Sequence, residues 1–396
     1  DVESLDNDTI LIGTNATGEF LAPAKMNLTT GKIEPLGTAA WDLDATAFSD
    51  DRKMFAHTVN REGFGEFYIS PADSFGKNGA AIKLPAQGIV GGLNFSGDNS
   101  KIAFTFVSAK HNTDIWLYDL KAKKLTQVTK SDRAGIDGKT FIAPELIKYK
   151  TFDGREIPAW YYKPKTTNGK LPVIVSVHGG PEGQERPGFN PLYQYYLSRG
   201  YAVLATNVRG STGYGKTFAA LDNVRLREDS VKDLAFAVEW LKTAGGADAK
   251  RIAVMGGSYG GYMTMAAITL YPDLWAAAVN TVGIVNWETF LKNTSGYRRR
   301  QREVEYGFLD KDIEFLRAIS PIAKVDRIKT PLFVIHGKND PRVPYTEAEQ
   351  IVESLKKRGA IVEYKLFNDE GHGISKLKNR LELYPLVANF LDKYMK

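Results

Sequence analysis

Residues 251–261 read Arg-Ile-Ala-Val-Met-Gly-Gly-Ser-Tyr-Gly-Gly. The apolar run 252–255 has the composition of a strand buried on both faces, and a helix-like stretch, 262–270, follows it almost at once. Between them Gly256, Ser258 and Gly260 form a Gly-x-Ser-x-Gly turn, the layout of a nucleophile elbow. Such a turn is so tight that a Cβ on either flank would clash, and its strain lifts the serine Oγ out of the sheet. The stretch therefore nominates Ser258 as a nucleophile at the end of a buried strand.

A serine at its free pKa is a weak nucleophile and needs a base that is itself oriented by a third group. Of the five histidines, His57 and His111 lie in an N-terminal region of different character, while His178 and His336 each precede a glycine at the end of an apolar strand. His372, in Asp-Glu-Gly-His-Gly-Ile, follows the strand-like stretch 362–367 and precedes the amphipathic stretch 377–395. That places it on a loop at strand ends, where the active sites of open α/β sheets form, and makes it the expected base. Asp340, just past another apolar strand in the run 331–344, is the expected orienting acid. Asp326 precedes that strand, and Asp369 and Glu370 stand too near His372 in sequence to be preferred. The chain order Ser258, Asp340, His372 is that of the α/β-hydrolase triad.

A tetrahedral intermediate also requires hydrogen-bond donors aimed at its oxyanion. In this fold one is the N–H of the residue after the nucleophile, here Tyr259. The other comes from a His-Gly-Gly-type loop, and Leu-Pro-Val-Ile-Val-Ser-Val-His-Gly-Gly at 171–180 offers Gly179 or Gly180. His178 reads as a structural histidine that holds this loop.

Four motifs now agree: His-Gly-Gly-Pro at 178–181, Asn-Val-Arg-Gly-Ser-Thr-Gly-Tyr-Gly at 207–215, the elbow at 256–261, and the Asp340/His372 pair. Together they resemble the prolyl oligopeptidase family of serine peptidases, and the first two look more like its acylaminoacyl-peptidase branch than prolyl oligopeptidase proper. The resemblance covers nearly all of residues 140–396. It implies a peptide substrate, cleavage after a peptide or acylated residue through an acyl-enzyme, and the Gly180 and Tyr259 amides as the oxyanion hole. It also implies that Arg342, two residues after the acid, binds a substrate backbone carbonyl. Tyr262, Val282 and Trp287 are expected as pocket walls, because a loop carrying aromatic side chains after a strand at 276–280 would lie beside the nucleophile. A triad of this kind needs no cofactor. A carboxylesterase or lipase on the same fold is one alternative, and a non-catalytic binding protein is another.

Around these motifs, 140–396 alternates strand and helix signals. Strands are expected at 146–151, 157–163, 173–177, 202–207, 252–255, 276–280, 332–335 and 362–367, and helices at 228–243, 262–270, 345–358 and 377–395. Val231, Leu234, Ala235, Val238 and Leu241 recur at helical spacing in the first helix. Continuous apolar strands joined by helical crossovers predict a mostly parallel, doubly wound sheet.

Residues 1–133 differ, with short β-like runs between Gly, Asp, Asn and Thr. Phe48-Ser49-x-Asp51 and Phe95-Ser96-x-Asp98 are each followed by an apolar pair, Phe55-Ala56 and Ile102-Ala103, at an offset of 47 residues. That offset suits the blade of a β-propeller, and 10–15 and 26–32 look like the outer part of a preceding blade. The expectation is a partial propeller over 1–133, about two and a half blades, ahead of a hydrolase domain at 134–396, as in the C-terminal part of a longer family member. A small, complete β domain is the competing reading. An unclosed propeller leaves a sheet edge and blade faces uncovered, which allows a homo-oligomer. Ser131-Asp132-Arg133-Ala134-Gly135 reads as a linker.

The 396 residues, 43% of them hydrophobic, can build two cores. No run of 18 apolar residues exists, so no membrane-spanning helix is expected. The absence of cysteine excludes disulfides and thiolate metal sites without fixing a compartment, and no His/carboxylate spacing suggests a metal. The net charge of +6 and pI of about 9.0 could suggest nucleic acid. However, the dense basic cluster Arg298, Arg299, Arg300 and Arg302 lies among Glu303, Glu305 and Asp310 and reads as a charged helix face, so no nucleic-acid partner is expected.

Overall fold

The computed structural model describes residues 2–77, 79–165 and 169–396. The chain divides into two compact units, one of Asp1–Pro144, Arg186–Pro191 and Thr212–Phe218, the other of Glu145–Glu185, Leu192–Ser211 and Ala219–Lys396. The first unit thus runs on past residue 133, the boundary expected from composition.

In that unit three antiparallel sheets of four strands follow one another along the described chain. They are β1 (Val2–Ser4), β2 (Thr9–Thr14), β3 (Ala22–Asn27) and β4 (Ile33–Pro35); β5 (Asp42–Phe48), β6 (Met54–Arg61), β7 (Phe64–Pro71) and β8 (Ala80–Ala81); and β9 (Ile89–Phe95), β10 (Lys101–Ser108), β11 (His111–Asp119) and β12 (Lys124–Gln127). Each is a simple up-and-down sheet, the form of a propeller blade. Strict alternation along β10 buries Ile102, Phe104 and Phe106, which pack with Val90 of β9 and with Ala56 and Phe67 of the neighbouring sheet in one apolar cluster.

The 47-residue repeat corresponds to two equivalent turns. Ser49 Oγ donates to Asp51 Oδ1 at 2.7 Å and accepts from the Met54 N–H at 2.9 Å; Ser96 Oγ donates to Asp98 Oδ1 at 2.6 Å and accepts from the Lys101 N–H at 3.0 Å. Arg52 and Asn99 take matching positive φ values of 57° and 56°. Two expectations need correction. Stretch 26–32 is mostly turn, because Asn27 Oδ1 captures the Thr30 N–H (2.8 Å) and hydroxyl (2.9 Å) and ends β3. Ser131 is no free linker residue: its N–H and hydroxyl both donate to Asp114 Oδ1 on β11, at 2.8 and 3.1 Å.

The second unit is built on β13 (Glu145–Lys150), β14 (Glu156–Tyr162), β15 (Leu171–Val177), β16 (Ala202–Thr206), β17 (Ala247–Gly257), β18 (Ala277–Thr281), β19 (Leu332–Gly337) and β20 (Val362–Phe367). They form one sheet in the order β13-β14-β16-β15-β17-β18-β19-β20. The first two strands pair antiparallel, and from β16 onward the pairing is parallel. The helices are α1 (Pro191–Ser198), α2 (Lys216–Ala219), α3 (Arg227–Thr243), α4 (Tyr259–Leu270), α5 (Trp287–Asn293), α6 (Gly296–Tyr306), α7 (Ile313–Ile319), α8 (Thr346–Lys357) and α9 (Leu377–Met395). Val231, Leu234, Val238 and Leu241 of α3 are all fully buried, each worth roughly 1.5–3 kcal/mol of burial. This is an α/β-hydrolase sheet.

After β15 the chain moves to one side of that strand to make β16, then crosses to the other side to make β17. The strand order therefore reverses at β15, and the crevice beyond the carboxyl ends of β15 and β17 is where a ligand site forms in such sheets. His178-Gly179-Gly180 leave β15 there, and Ser258 leaves β17.

Candidate active site

The elbow is held by close backbone approach. A Cβ on Gly256 would collide with Gly260 O, and one on Gly260 with Val177 O of the neighbouring strand. Ser258 itself sits at φ 58° and ψ −119°, a strained conformation for any residue with a side chain, and its N–H is tied to Thr281 O at 3.0 Å. The Oγ meets His372 Nε2 at 2.9 Å, and His372 Nδ1 lies 2.7 Å from Asp340 Oδ2. The three side chains come from the ends of β17, β20 and β19, and the fold brings together the three residues singled out by sequence.

Asp340 is buried. Burial pushes its carboxyl pKa up, but hydrogen bonds from His336, His372 and the Arg342 N–H outweigh that and hold it well below the usual carboxylate range. Its Oδ1 accepts from the Arg342 N–H at 2.8 Å and the Val343 N–H at 3.0 Å. An ionised carboxylate can only accept, so the proton between it and His372 resides on Nδ1 and leaves Nε2 free to take one from Ser258. The other carboxylates are engaged elsewhere. Asp326 is exposed and faces Arg358, Asp369 binds Lys376 and Lys378, and Glu370 accepts from the Ser375 and Lys376 N–H groups ahead of α9. His178 lies 2.9 Å from Ser211 Oγ and 2.9 Å from Gly179 O, and burial lowers its pKa; it braces the loop.

Tyr259 is the first residue of α4, so its N–H has no intrahelical acceptor. Neither it nor the Gly180 N–H has a hydrogen-bond acceptor among the described residues. Both residues are positioned by polar groups on other elements. The Tyr259 hydroxyl donates to Asp222 Oδ2 at 3.0 Å and accepts from the buried Arg227 Nη1 at 2.9 Å. Gly180 O accepts from the Tyr306 hydroxyl at 2.9 Å and Arg302 Nη1 at 3.3 Å. Arg227 also donates to Glu305 O at 2.9 Å, so α3, α4 and α6 share one buried network.

A cavity of about 400 Å³ opens at Ser258 and His372, bordered by Gly180, Val282, Ile284, Phe290, Tyr306, Val343 and the arginines 298, 302 and 342. Val282 and Arg342, expected as a pocket wall and a substrate contact, both border it. Tyr262 and Trp287 do not border it. Both are fully buried and touch one another, centroids 4.8 Å apart, because Asn286 caps α5 and turns Trp287 inward to pack against Tyr306 at 4.4 Å. Tyr306, Phe290, Arg298 and Arg302 were not foreseen. The Asn286 cap was the one readable signal, since Asn before an apolar run starts helices. A larger hollow of about 770 Å³ lies in the first unit among Trp41, His57, Tyr68 and Phe75.

The loops that follow β17, β19 and β20 meet at the switch point of the sheet, the arrangement of the α/β-hydrolase class of fold. The chain belongs to the prolyl oligopeptidase family, whose model matches residues 187–396. A model of acetyl xylan esterases matches residues 142–230. Dipeptidyl aminopeptidase BIII of Pseudoxanthomonas mexicana is 33% identical over 287 residues, which cover 69% of this chain and 42% of that protein. The acylamino-acid-releasing enzyme of Arabidopsis thaliana is 31% identical over 238 residues, covering 58% of this chain and 31% of the relative. The chain thus spans less than half the length of these curated relatives. A puromycin-hydrolysing peptidase of Mycobacterium tuberculosis superposes with a TM-score of 0.90 at 21% identity, over 100% of this chain and 61% of that one, a likeness of fold. Among the described residues no helix is long and apolar enough to cross a membrane.

Proposed function

We propose that this chain is a serine peptidase that cleaves short peptides or acylated peptides through an acyl-enzyme. The observation that carries the reading is the hydrogen-bonded relay Ser258–His372–Asp340 at 2.9 and 2.7 Å. Ser258 Oγ attacks the scissile carbonyl as His372 Nε2 takes its proton, and Asp340 holds the imidazole tautomer and supports the imidazolium. The unspent N–H groups of Tyr259 and Gly180 receive the oxyanion. His372 then protonates the leaving amine, and water repeats the sequence to free the acid and regenerate the serine. Arg342, at the cavity rim, is assigned to a backbone carbonyl of the substrate, and Val282 to its wall. Residues 1–133 are read as part of a propeller.

The names of the relatives, a dipeptidyl aminopeptidase and an acylamino-acid-releasing enzyme, support a peptide as substrate. An ester substrate is the second reading, favoured by the acetyl xylan esterase match. The test compares turnover of an acyl-peptide anilide with that of a short-chain ester, alongside labelling by a fluorophosphonate. Ser258→Ala should abolish labelling and lower turnover by roughly 10³-fold or more while the chain stays folded. Near wild-type turnover in that variant would overturn the assignment, and ester turnover without amide turnover would favour the second reading.

A further inference from the structure

The cavity at Ser258 is strongly basic. Arg298 and Arg302 stand one helical turn apart on α6, both half-buried, and the exposed Arg342 borders the same cavity from the loop after β19. No carboxylate borders the cavity among the described residues. Their neighbours on α6 are spent elsewhere: Arg299 pairs with Glu303 at 2.8 Å and Asp310 at 3.5 Å, and Arg300 is exposed. Arg302 has a distant partner in Glu305 at 3.7 Å, whereas Arg298 and Arg342 have no ion pair among the described residues. The remaining wall is apolar, from Val282, Ile284, Phe290, Tyr306 and Val343.

Three guanidinium groups around so small a space repel one another, and apolar walls weaken the screening that water would supply. An anion placed among them relieves that repulsion and gains charge-assisted, two-pronged hydrogen bonds, which guanidinium offers to a carboxylate better than to any neutral group. We propose, on the reading that Ser258 is the peptidase nucleophile, that this cavity selects substrates carrying a carboxylate close to the scissile bond, with Arg298 as its main anchor. The carboxylate is either an acidic side chain or the free carboxyl terminus of a short peptide.

Two substrate pairs separate those sources. One pair of acyl-dipeptide anilides differs only in Glu against Gln before the scissile bond; one pair of acyl-tripeptides differs only in a free against an amidated terminus. At least one pair should show a kcat/KM at least tenfold higher for the acid, about 1.4 kcal/mol. The discrimination should fall below about twofold in Arg298→Ala, return in part in Arg298→Lys, and turn toward a lysine substrate in Arg298→Glu. Salt should erode it. Wild-type enzyme that cleaves neutral and acidic members of both pairs equally, or discrimination unchanged by Arg298→Ala in a variant with a native circular dichroism spectrum, overturns the proposal and leaves the peptidase reading standing. Should no peptide be cleaved and no fluorophosphonate react, the peptidase reading fails. Binding of the same peptides to Ser258→Ala then still tests the charge selection, with at least tenfold tighter binding of an acid expected and equal binding refuting it.

Discussion

The sharpest test of the relay is Asp340→Asn. In the folded protein Oδ1 accepts two backbone N–H groups, from Arg342 and Val343, and Oδ2 accepts from His372 Nδ1. An asparagine of the same shape must keep its oxygen toward the two amides, since its NH₂ cannot accept from them. The NH₂ then faces His372 Nδ1 and forces that nitrogen to accept, so the proton moves to Nε2 and the base is blocked at the atom that faces Ser258. The side chain does not border the cavity, so KM should hold while kcat drops by about 10⁴-fold, about 5 kcal/mol of transition-state stabilisation, as for the same change in another triad. Asp326→Asn is the control. That carboxylate is 90% exposed and faces Arg358 at 3.6 Å, so its loss should alter kcat by less than about twofold. Steady-state kinetics on an acyl-peptide anilide, normalised to correctly folded protein by circular dichroism, read both variants. A loss under tenfold in Asp340→Asn, or the larger loss in Asp326→Asn, would refute the assignment of the acid.

Gly260→Ala should fail at folding, because its Cβ collides with backbone of β15 that cannot step aside; soluble yield and melting temperature report it, and a stable, active variant would contradict the elbow geometry. His57 is stacked between Phe55 and Tyr68, and burial pushes its pKa down to about 4. The unfolded chain binds the extra proton first, so this group's contribution is present above about pH 6.5 and is lost as pH falls to about 4, by up to roughly 3 kcal/mol. Denaturant midpoints across that range should slope in wild type and flatten in His57→Phe; equal slopes would count against it. Hydrogen exchange should protect β15, β16 and β17 far more than β1 to β4, and limited proteolysis should cut first at Ala134-Gly135, both at positive φ. Equal protection of the two regions would mean the N-terminal sheets form a complete domain.

Much of this was legible in the sequence because the relevant signals are local. An apolar strand running into a glycine-flanked serine dictates its own turn, and stretches 362–367 and 377–395 match β20 and α9 residue for residue. The central strands β15 and β16 read clearly because burial on both faces leaves few polar positions to confuse the pattern. The region of α5, α6 and α7 was opaque for the opposite reason. On α6, Glu303 and Glu305 are buried, 8% and 6% exposed, while Val304 between them is 68% exposed. The inward face combines Tyr306, packed on Trp287, with two buried carboxylates, Glu303 paired with Arg299 on the same helix and Glu305 paired with Arg227, so hydrophobic periodicity alone misreads the helix. Tyr262 and Trp287 misled similarly, since an aromatic near a nucleophile suits a pocket wall or the core beneath it, and only the packing decides.

The reacting groups and most of the cavity wall have separate origins in the chain. Ser258, Asp340 and His372 leave the sheet at the ends of β17, β19 and β20, whereas Val282, Ile284, Phe290, Arg298, Arg302 and Tyr306 all belong to the single excursion between β18 and β19. Mutations accumulating in those fifty or so residues can redraw what the crevice accepts while the machinery that breaks the bond stays under its own constraint. One place where the two are joined is Arg227, whose guanidinium reaches the elbow tyrosine and the α6 backbone at once. An exchange of the excursion between relatives should succeed only where that arginine still finds a carbonyl to hold.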